Sequence, residues 1–408
     1  MTRYRQLVQT AVFVVAVAAC GGGDSSSSPR VAVDTLPGGV VRTMSAAPVD
    51  SGLWSLELLH EIQPAEGAPG ELMKPSDITM TAEGTVFVAE DGDAHVKVFD
   101  ANGTFLRRIG QRGSGPGEFR VAWIAARGDT LLVQDPMAAR ASSFRVSDGS
   151  FITSLSTTCC YWAPLGVDGA GRALMHANHS PEDTTRDAAT FVRTAFGATA
   201  ADTVYVWHRK TPTGPDNHWE VRNGDQLQMI ITVPLRPREV IVVDPQGGFI
   251  TAWNSEYLFR VSGDGTDTVS LFGRVFSPMS VSGAEKQAIV DARIADMTSG
   301  SGGPPEATLR ASLEANKIPD VRPPFERFSI DRSGRVWARR SLADTTVVEF
   351  DLFGPGREWL DVVRVPAEVW PKQQYTSEAW GTDRVAVPAE DDEGRPVVRV
   401  FRIVRKSS

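Results

Sequence analysis

The side chains best able to do chemistry fall in short polar stretches: Glu90, Asp91 and His95; Asp135 and Arg140; His176, Asn178 and His179; Trp253 and Asn254; Arg339 and Arg340; Glu390, Asp391 and Asp392. Acids, amides, cations and imidazoles converging on one cavity are what ligand recognition needs. The plain alternative is that each stretch is polar because it is a wet loop. His176-Ala177-Asn178-His179 has the composition closest to a metal site. Neutral imidazoles bind zinc or another transition metal, and acids from neighbouring loops could complete the set. A loop spacing of three does not define such a site, and neither an H-E-x-x-H pattern nor a calcium-loop pattern is present. No cofactor is therefore expected, a divalent ion at the channel mouth being the exception to test. Cys159 and Cys160 are adjacent; in an oxidising compartment they could close a vicinal disulfide and stiffen the turn before Tyr161-Trp162. The glycines from Gly113 to Gly117 are followed by no Lys-Ser/Thr, so they form a connector and not a phosphate cradle. No G-x-S-x-G elbow, kinase set or Rossmann fingerprint occurs, and no catalytic residue can be named.

The chain that must position these groups has 408 residues, 41% hydrophobic and 23% charged, with 37 Gly, 26 Pro and 3 Cys. That composition excludes general disorder and a disulfide scaffold. A net charge of −8 argues against nucleic acid or an anionic membrane surface as the main partner. The surplus of Gly and Pro suits a chain that turns often.

Residues 1–19 read as an export signal. Arg3 and Arg5 precede an apolar run that is densest from Ala11 to Ala19, too short to span a bilayer. The run ends Val17-Ala18-Ala19-Cys20 and is followed by glycines. This resembles the bacterial lipobox, which implies cleavage before Cys20 and lipidation of its thiol. Residue 21 is Gly and not Asp, and the resemblance to Gram-negative lipoproteins then implies the outer membrane. Residues 20–50, opening with GGGDSSSS, are expected to be a flexible tether.

Beyond residue 51 the chain repeats. Lys74 to Phe119 contains four β-type stretches, Ser76–Thr81, Thr85–Ala89, His95–Phe99 and Thr104–Ile109, with Asn102-Gly103 as a hairpin turn between the last two. The turn glycine recurs at Gly84, Gly128, Gly171, Gly247, Gly334 and Gly381, each time followed by a β-type run. Spacings of 44, 43 and 47 residues alternate with two longer gaps that hold insertions. Units of four strands cannot bury both faces alone and must stack on neighbours, so six of them make a six-bladed β-propeller. The sixth unit lacks a fourth strand, while Leu53–Ile62 is a strand without a unit. An all-β ring closed by this N-terminal strand is expected. A helical insertion about 281–318 precedes blade five. Ser282-Gly283-Ala284-Glu285 reads as a capping box opening a helix over Ala284–Met297, with a second helix starting near Pro305. Pro181–Asp202 and Thr211–Asp225 read as a less regular insertion in blade three.

The first unit resembles an NHL-type propeller repeat through Pro75, Glu83-Gly84, Val88-Ala89-Glu90, Val98-Phe99-Asp100, Asn102-Gly103 and the Gly113–Phe119 loop. In propellers of this type the loops between the second and third strands share a face with the interblade connections. The resemblance thus implies that the polar stretches above ring one mouth of a central channel. The sequence does not match the metal-ligand motifs of the gluconolactonase-like propellers. The reading overall is an envelope-anchored, monomeric lipoprotein whose propeller binds a protein, peptide or glycan partner. It meets the membrane through its anchor only and binds no nucleic acid. The alternative is a propeller enzyme, such as a lactonase, lyase or metal-dependent hydrolase, with its site at the channel mouth.

Overall fold

In the computed structural model, residues 30–156, 165–168, 170–177, 187–195, 201–208, 217–299, 303–370 and 378–407 are described. They form six antiparallel blades, each with strands A to D from the axis outward. Blade one runs Pro75–Met80, Val86–Glu90, His95–Phe99 and Phe105–Ile109. Blade two runs Trp123–Arg127, Thr130–Asp135, Arg140–Arg145 and Phe151–Ser156. Blade three runs Leu165–Val167, Ala173–Ala177, Asp187–Thr194 and Asp202–His208. Blade four runs Glu239–Val243, Phe249–Trp253, Leu258–Ser262 and Ser270–Arg274. Blade five runs Phe325–Ile330, Val336–Arg340, Val347–Phe353 and Trp359–Pro366. Blade six has A, B and C at Ala379–Trp380, Arg384–Glu390 and Pro396–Arg405.

Side chains alternate across each blade, and both faces are buried. In strand B of blade one, Phe87 and Ala89 join a core shared with Ile124 and Leu131 of blade two. Val86 and Val88 turn the other way and pack with Ala386 and Val398 of blade six. The same tiling places Leu132 with Met175 between blades two and three, and Phe191 with Phe249 between three and four. It continues with Phe259 and Phe328 between four and five, and Trp337 and Trp380, stacked at 4.6 Å, between five and six. The recurrent glycine has a physical reason at five positions: Gly84, Gly128, Gly171, Gly247 and Gly334 all adopt positive φ in the A–B turn. Gly381 keeps an ordinary φ and instead lacks room, since a Cβ there would sit 3.0 Å from Met80 Sδ.

The N-terminal segment differs from the flexible tether expected over residues 20–50. Strands β1 (Val31–Thr35) and β2 (Val41–Ser45) form a hairpin, and β2 lies parallel to strand D of blade four. Val49 and Asp50 then donate to the Trp359 and Leu360 carbonyls at the outer edge of blade five. Asp361, 2% exposed, accepts from the Gly52 and Trp54 amides, both at 2.9 Å. Strand β3 (Trp54–Ile62) finally pairs antiparallel with strand C of blade six as its fourth strand. Residues 31–62 therefore lie as a belt over three outer edges, which would otherwise present open ladders. VAVDT and VRTMS alternate around Pro37-Gly38-Gly39, a hairpin too short and too far from its partner to stand out beside the repeat.

The two insertions build one cap. A hairpin, His218–Asn223 with Gln226–Thr232, leaves the connection between blades three and four. Helices α1 (Gly283–Thr298) and α2 (Glu306–Ser312) leave the connection between four and five. Trp219, Val221, Val290, Ile294, Leu309 and Leu313 form their shared core, and Trp219 Nε1 donates to the Glu314 carbonyl at 3.0 Å. Ser282 caps α1 by accepting from the Glu285 amide at 3.2 Å. The other half of the box is absent because the Glu285 carboxylate pairs with Arg322. The expected insertion over Pro181–Asp202 is corrected: Asp187–Thr194 and Asp202–His208 are strands C and D of blade three, so among the described residues of this region the later hairpin is the extra element. No described helix is long and apolar enough to cross a membrane.

Candidate functional site

The B–C loops and the interblade connections share one face, and the A–B turns occupy the other. At the first face the residue that ends strand B, or in blade four the one just after it, recurs as a brace. Glu90 Oε2 accepts from the Met73 and Lys74 amides at 3.1 and 2.9 Å. Asp135 Oδ2 accepts from the Arg120 amide at 2.8 Å, and Asn254 Oδ1 from the Arg238 amide at 2.7 Å. All three are at most 3% exposed. Each ties the chain entering its own blade to the strand beside it. Their polarity serves backbone satisfaction and not solvent exposure.

Arg140 also braces the backbone, donating to the Ser114 and Glu118 carbonyls at 2.9 Å each. The glycine-rich connector is held by this fork. Asp391 organises its own turn, accepting from the Glu393 and Arg395 amides and from Arg395 Nε at 2.9, 2.8 and 2.9 Å. Glu390 is exposed. His176 stands edge-on to Phe191 at 5.6 Å, and Trp253 ends strand B of blade four, half-buried. Arg339 Nε lies 3.4 Å from Glu326 Oε2, and burial pushes its guanidinium below its ordinary pKa. The Asp91 backbone carbonyl accepts from Arg112 NH2 at 3.1 Å. Cys20, Cys159, Cys160, Asn178 and His179 lie outside the described residues. Among the described residues no three His, Cys, Asp or Glu side chains are placed to hold a metal ion.

Two charged groups escape a reading of the sequence. Lys97, 1% exposed, sits between Asp93 Oδ2 at 3.2 Å and Glu90 Oε2 at 3.9 Å and donates to the Glu71 carbonyl. His95 Nδ1 is 3.4 Å from Asp93 Oδ1. Burial raises the Glu90 carboxyl above its ordinary value despite the opposing amides and Lys97. The signal was a lysine between the two valines of the HVKVF strand, where a doubly covered blade demands a partner. The second group is at the axis: Arg327 NH2 meets Glu378 Oε1 at 2.5 Å, and Trp380 Nε1 donates to Glu378 Oε2 at 3.1 Å. Burial opposes ionisation of Glu378, but Arg327 and then Arg339 outweigh it and hold its pKa below the ordinary value.

The far end of the channel, at the A–B turns, is strapped. Arg332, in the turn of blade five, donates through NH2 to Ala126 O at 2.6 Å and Met80 O at 3.2 Å. Arg127, at the end of strand A of blade two, donates to Pro245 O of blade four at 2.7 Å. In a ring of six, blade five faces blade two, so these side chains cross the axis.

A family model described as 6-bladed beta-propeller matches residues 70–162. No curated protein matches the chain. Among solved structures, a member of the DUF4221 family from Bacteroides vulgatus is 10% identical, covering 87% of this chain and 100% of its own, with a TM-score of 0.53. A candidate exported protein from Bacteroides fragilis is 12% identical, covering 89% of this chain and 98% of its own, with a TM-score of 0.47. Likeness at such identity speaks for fold alone. Blade count and family model agree on it: the chain is a six-bladed β-propeller with a capped loop face.

Proposed function

We propose that this chain is an exported, lipid-anchored propeller of the NHL type that acts as a binding module. Its partner is a protein, peptide or glycan, and it is taken on the face of the B–C loops and interblade connections. The observation that carries this reading is the asymmetry of the two faces. Both insertions emerge on the loop face and fuse into a cap with its own core, whereas the opposite mouth is crossed by Arg127 and Arg332. Added structure on one face of a repeat scaffold is where specificity is built. Export and lipidation at Cys20 rest on the signal-like residues 1–19. Closure of the ring by β3 rests on its pairing with strand C of blade six.

A photo-crosslinking amino acid tests the reading. Placed at Glu390 on the loop face, it is expected to give a discrete adduct in the native host. Placed at Glu83 on the turn face, it is expected to give none. Adducts only from Glu83 would reject the assignment of the face. Lipidation is tested separately by incorporation of a clickable fatty acid, which Cys20→Ser should abolish.

A further inference from the structure

On the turn face, blades three and four part to leave a cleft of about 360 Å³. The A–B turns of blades three and five both end in Gly-Arg, and the arginine folds back on the aspartate that opens the turn. Arg172 pairs in this way with Asp168 and Arg335 with Asp331, at 2.8 and 2.6 Å. Blade four has Asp244-Pro245-Gln246-Gly247-Gly248 at the same place. No side chain fits at Gly248, since a Cβ there would overlap the Ser262 carbonyl. The blade-four wall is therefore bare backbone at this point, and the gap between the two blades stays unfilled.

The lining is sorted by chemistry. Leu174 and Phe249, 2% and 3% exposed, form an apolar floor, and the wall from blade three carries two cations, Arg172 and Arg193. Asp168, the one acid among the described lining residues, is fully engaged. It accepts from the Ala170 and Arg172 amides at 2.9 Å each and from Arg172 Nε at 2.8 Å. Arg193 is held far less well. Its NH2 lies 3.5 Å from Oδ2 of Asp202, a carboxylate 71% exposed, and so wet a pair contributes little. Its Nε is buried and meets no acceptor among the described residues, a destabilising state that an incoming anion would relieve.

We propose that this interblade cleft is a small-molecule site for an organic carboxylate with a compact apolar body, such as a single ring. The carboxylate takes the guanidinium of Arg193 in place of the distant Asp202, a planar anion matched to a planar fork. The apolar body lies on Leu174 and Phe249. An inorganic anion would leave that floor uncovered, and a neutral molecule would leave Arg193 as poorly paired as before. The volume stands at the small end of the range for ligand pockets. The cleft is on the opposite face from the loops of the partner site above and does not rest on that reading.

Benzoate is the probe, with benzamide as its neutral isostere, each titrated into the full chain at pH 7.5 and constant ionic strength. At about ten times its Kd, benzoate should raise Tm by about 2 °C for a chain of this size, and the rise should saturate. Benzamide should leave Tm unchanged. Arg193→Met should abolish the rise, and Arg193→Lys, which keeps the charge but loses the fork, should weaken it severalfold. Ala170→Phe keeps both arginines and fills the cleft from its exposed rim. It too should abolish the rise, and it decides the matter if Arg193→Met fails to fold. No rise with benzoate, an equal rise with benzamide, or a rise that survives in Ala170→Phe or Arg193→Met would each overturn the proposal.

Discussion

The guanidinium of Arg332 reaches the carbonyl oxygen of Ala126, 2.6 Å away and on the opposite side of the ring. This one bond joins blades that share no sheet and no core cluster. The axis of the propeller is therefore braced by side chains as well as by the wall of strands.

Removing the brace should be measurable without being fatal. Arg332→Met leaves the Ala126 and Met80 carbonyls without their charged donor, a loss of about 2 kcal/mol. Thermal denaturation should show a Tm lower by several degrees with cooperativity retained. An unchanged Tm would mean that the carbonyls are satisfied by water.

The belt gives a sharper test. Asp361→Ala deletes the buried acceptor shared by the Gly52 and Trp54 amides, at a cost of about 2 kcal/mol. Hydrogen exchange should accelerate first over residues 52–62. Deleting residues 51–63 altogether should lower the melting temperature sharply, because strand C of blade six loses its partner and Ile62 leaves the core between blades six and one. A melt that ignores this deletion is incompatible with β3 closing the ring.

The cap should open before the ring. Trp219→Ala empties the centre of the core shared by the hairpin, α1 and α2, for about 3–5 kcal/mol. Exchange should rise over residues 218–232 and 284–313 while strand B of every blade stays protected. Loss of protection in the blades would show that cap and ring form one cooperative unit.

The Arg327–Glu378 pair makes a prediction in pH. The folded carboxyl titrates below its ordinary value of 4.5, so its ionisation stabilises the fold above that pH. The contribution fades as pH falls through the lower folded value. Glu378→Gln should cost about 3 kcal/mol at pH 7, and its deficit in Tm should shrink on acidification below pH 4.5. A deficit that stays constant down to pH 3 would place the variant's effect in packing and not in charge.

The blades were legible because their grammar is local. An A–B turn needs positive φ at one residue, so Gly84, Gly128, Gly171, Gly247 and Gly334 mark five of them in plain text. Ser282 marks its helix in the same way. The β1–β2 part of the belt was not legible, since the strand that β2 joins lies hundreds of residues onward and leaves no periodic trace near residue 40, whereas β3 stood out as a strand without a unit of its own. The candidate ring was legible only as polarity. Glu90, Asp135 and Asn254 look like binding loops in sequence, but the amides they hold are 15 to 17 residues back. Arg332 was hidden for a related reason: within Asp331-Arg332-Ser333-Gly334 it reads as turn filler, and only the arrangement of the blades brings Ala126 opposite it.

The belt also decides how the domain responds to tension. The described chain begins at Arg30, where the open end of the β1–β2 hairpin meets the rim of blade four. A pull from the N-terminal side peels β1 from β2 one pair at a time, a soft event. It then meets β2, which is held along its length by a parallel ladder against strand D of blade four. Any load delivered through residues 1–29 is thereby taken first by the hairpin and next by the ladder on blade four, ahead of the inner strands of the blades.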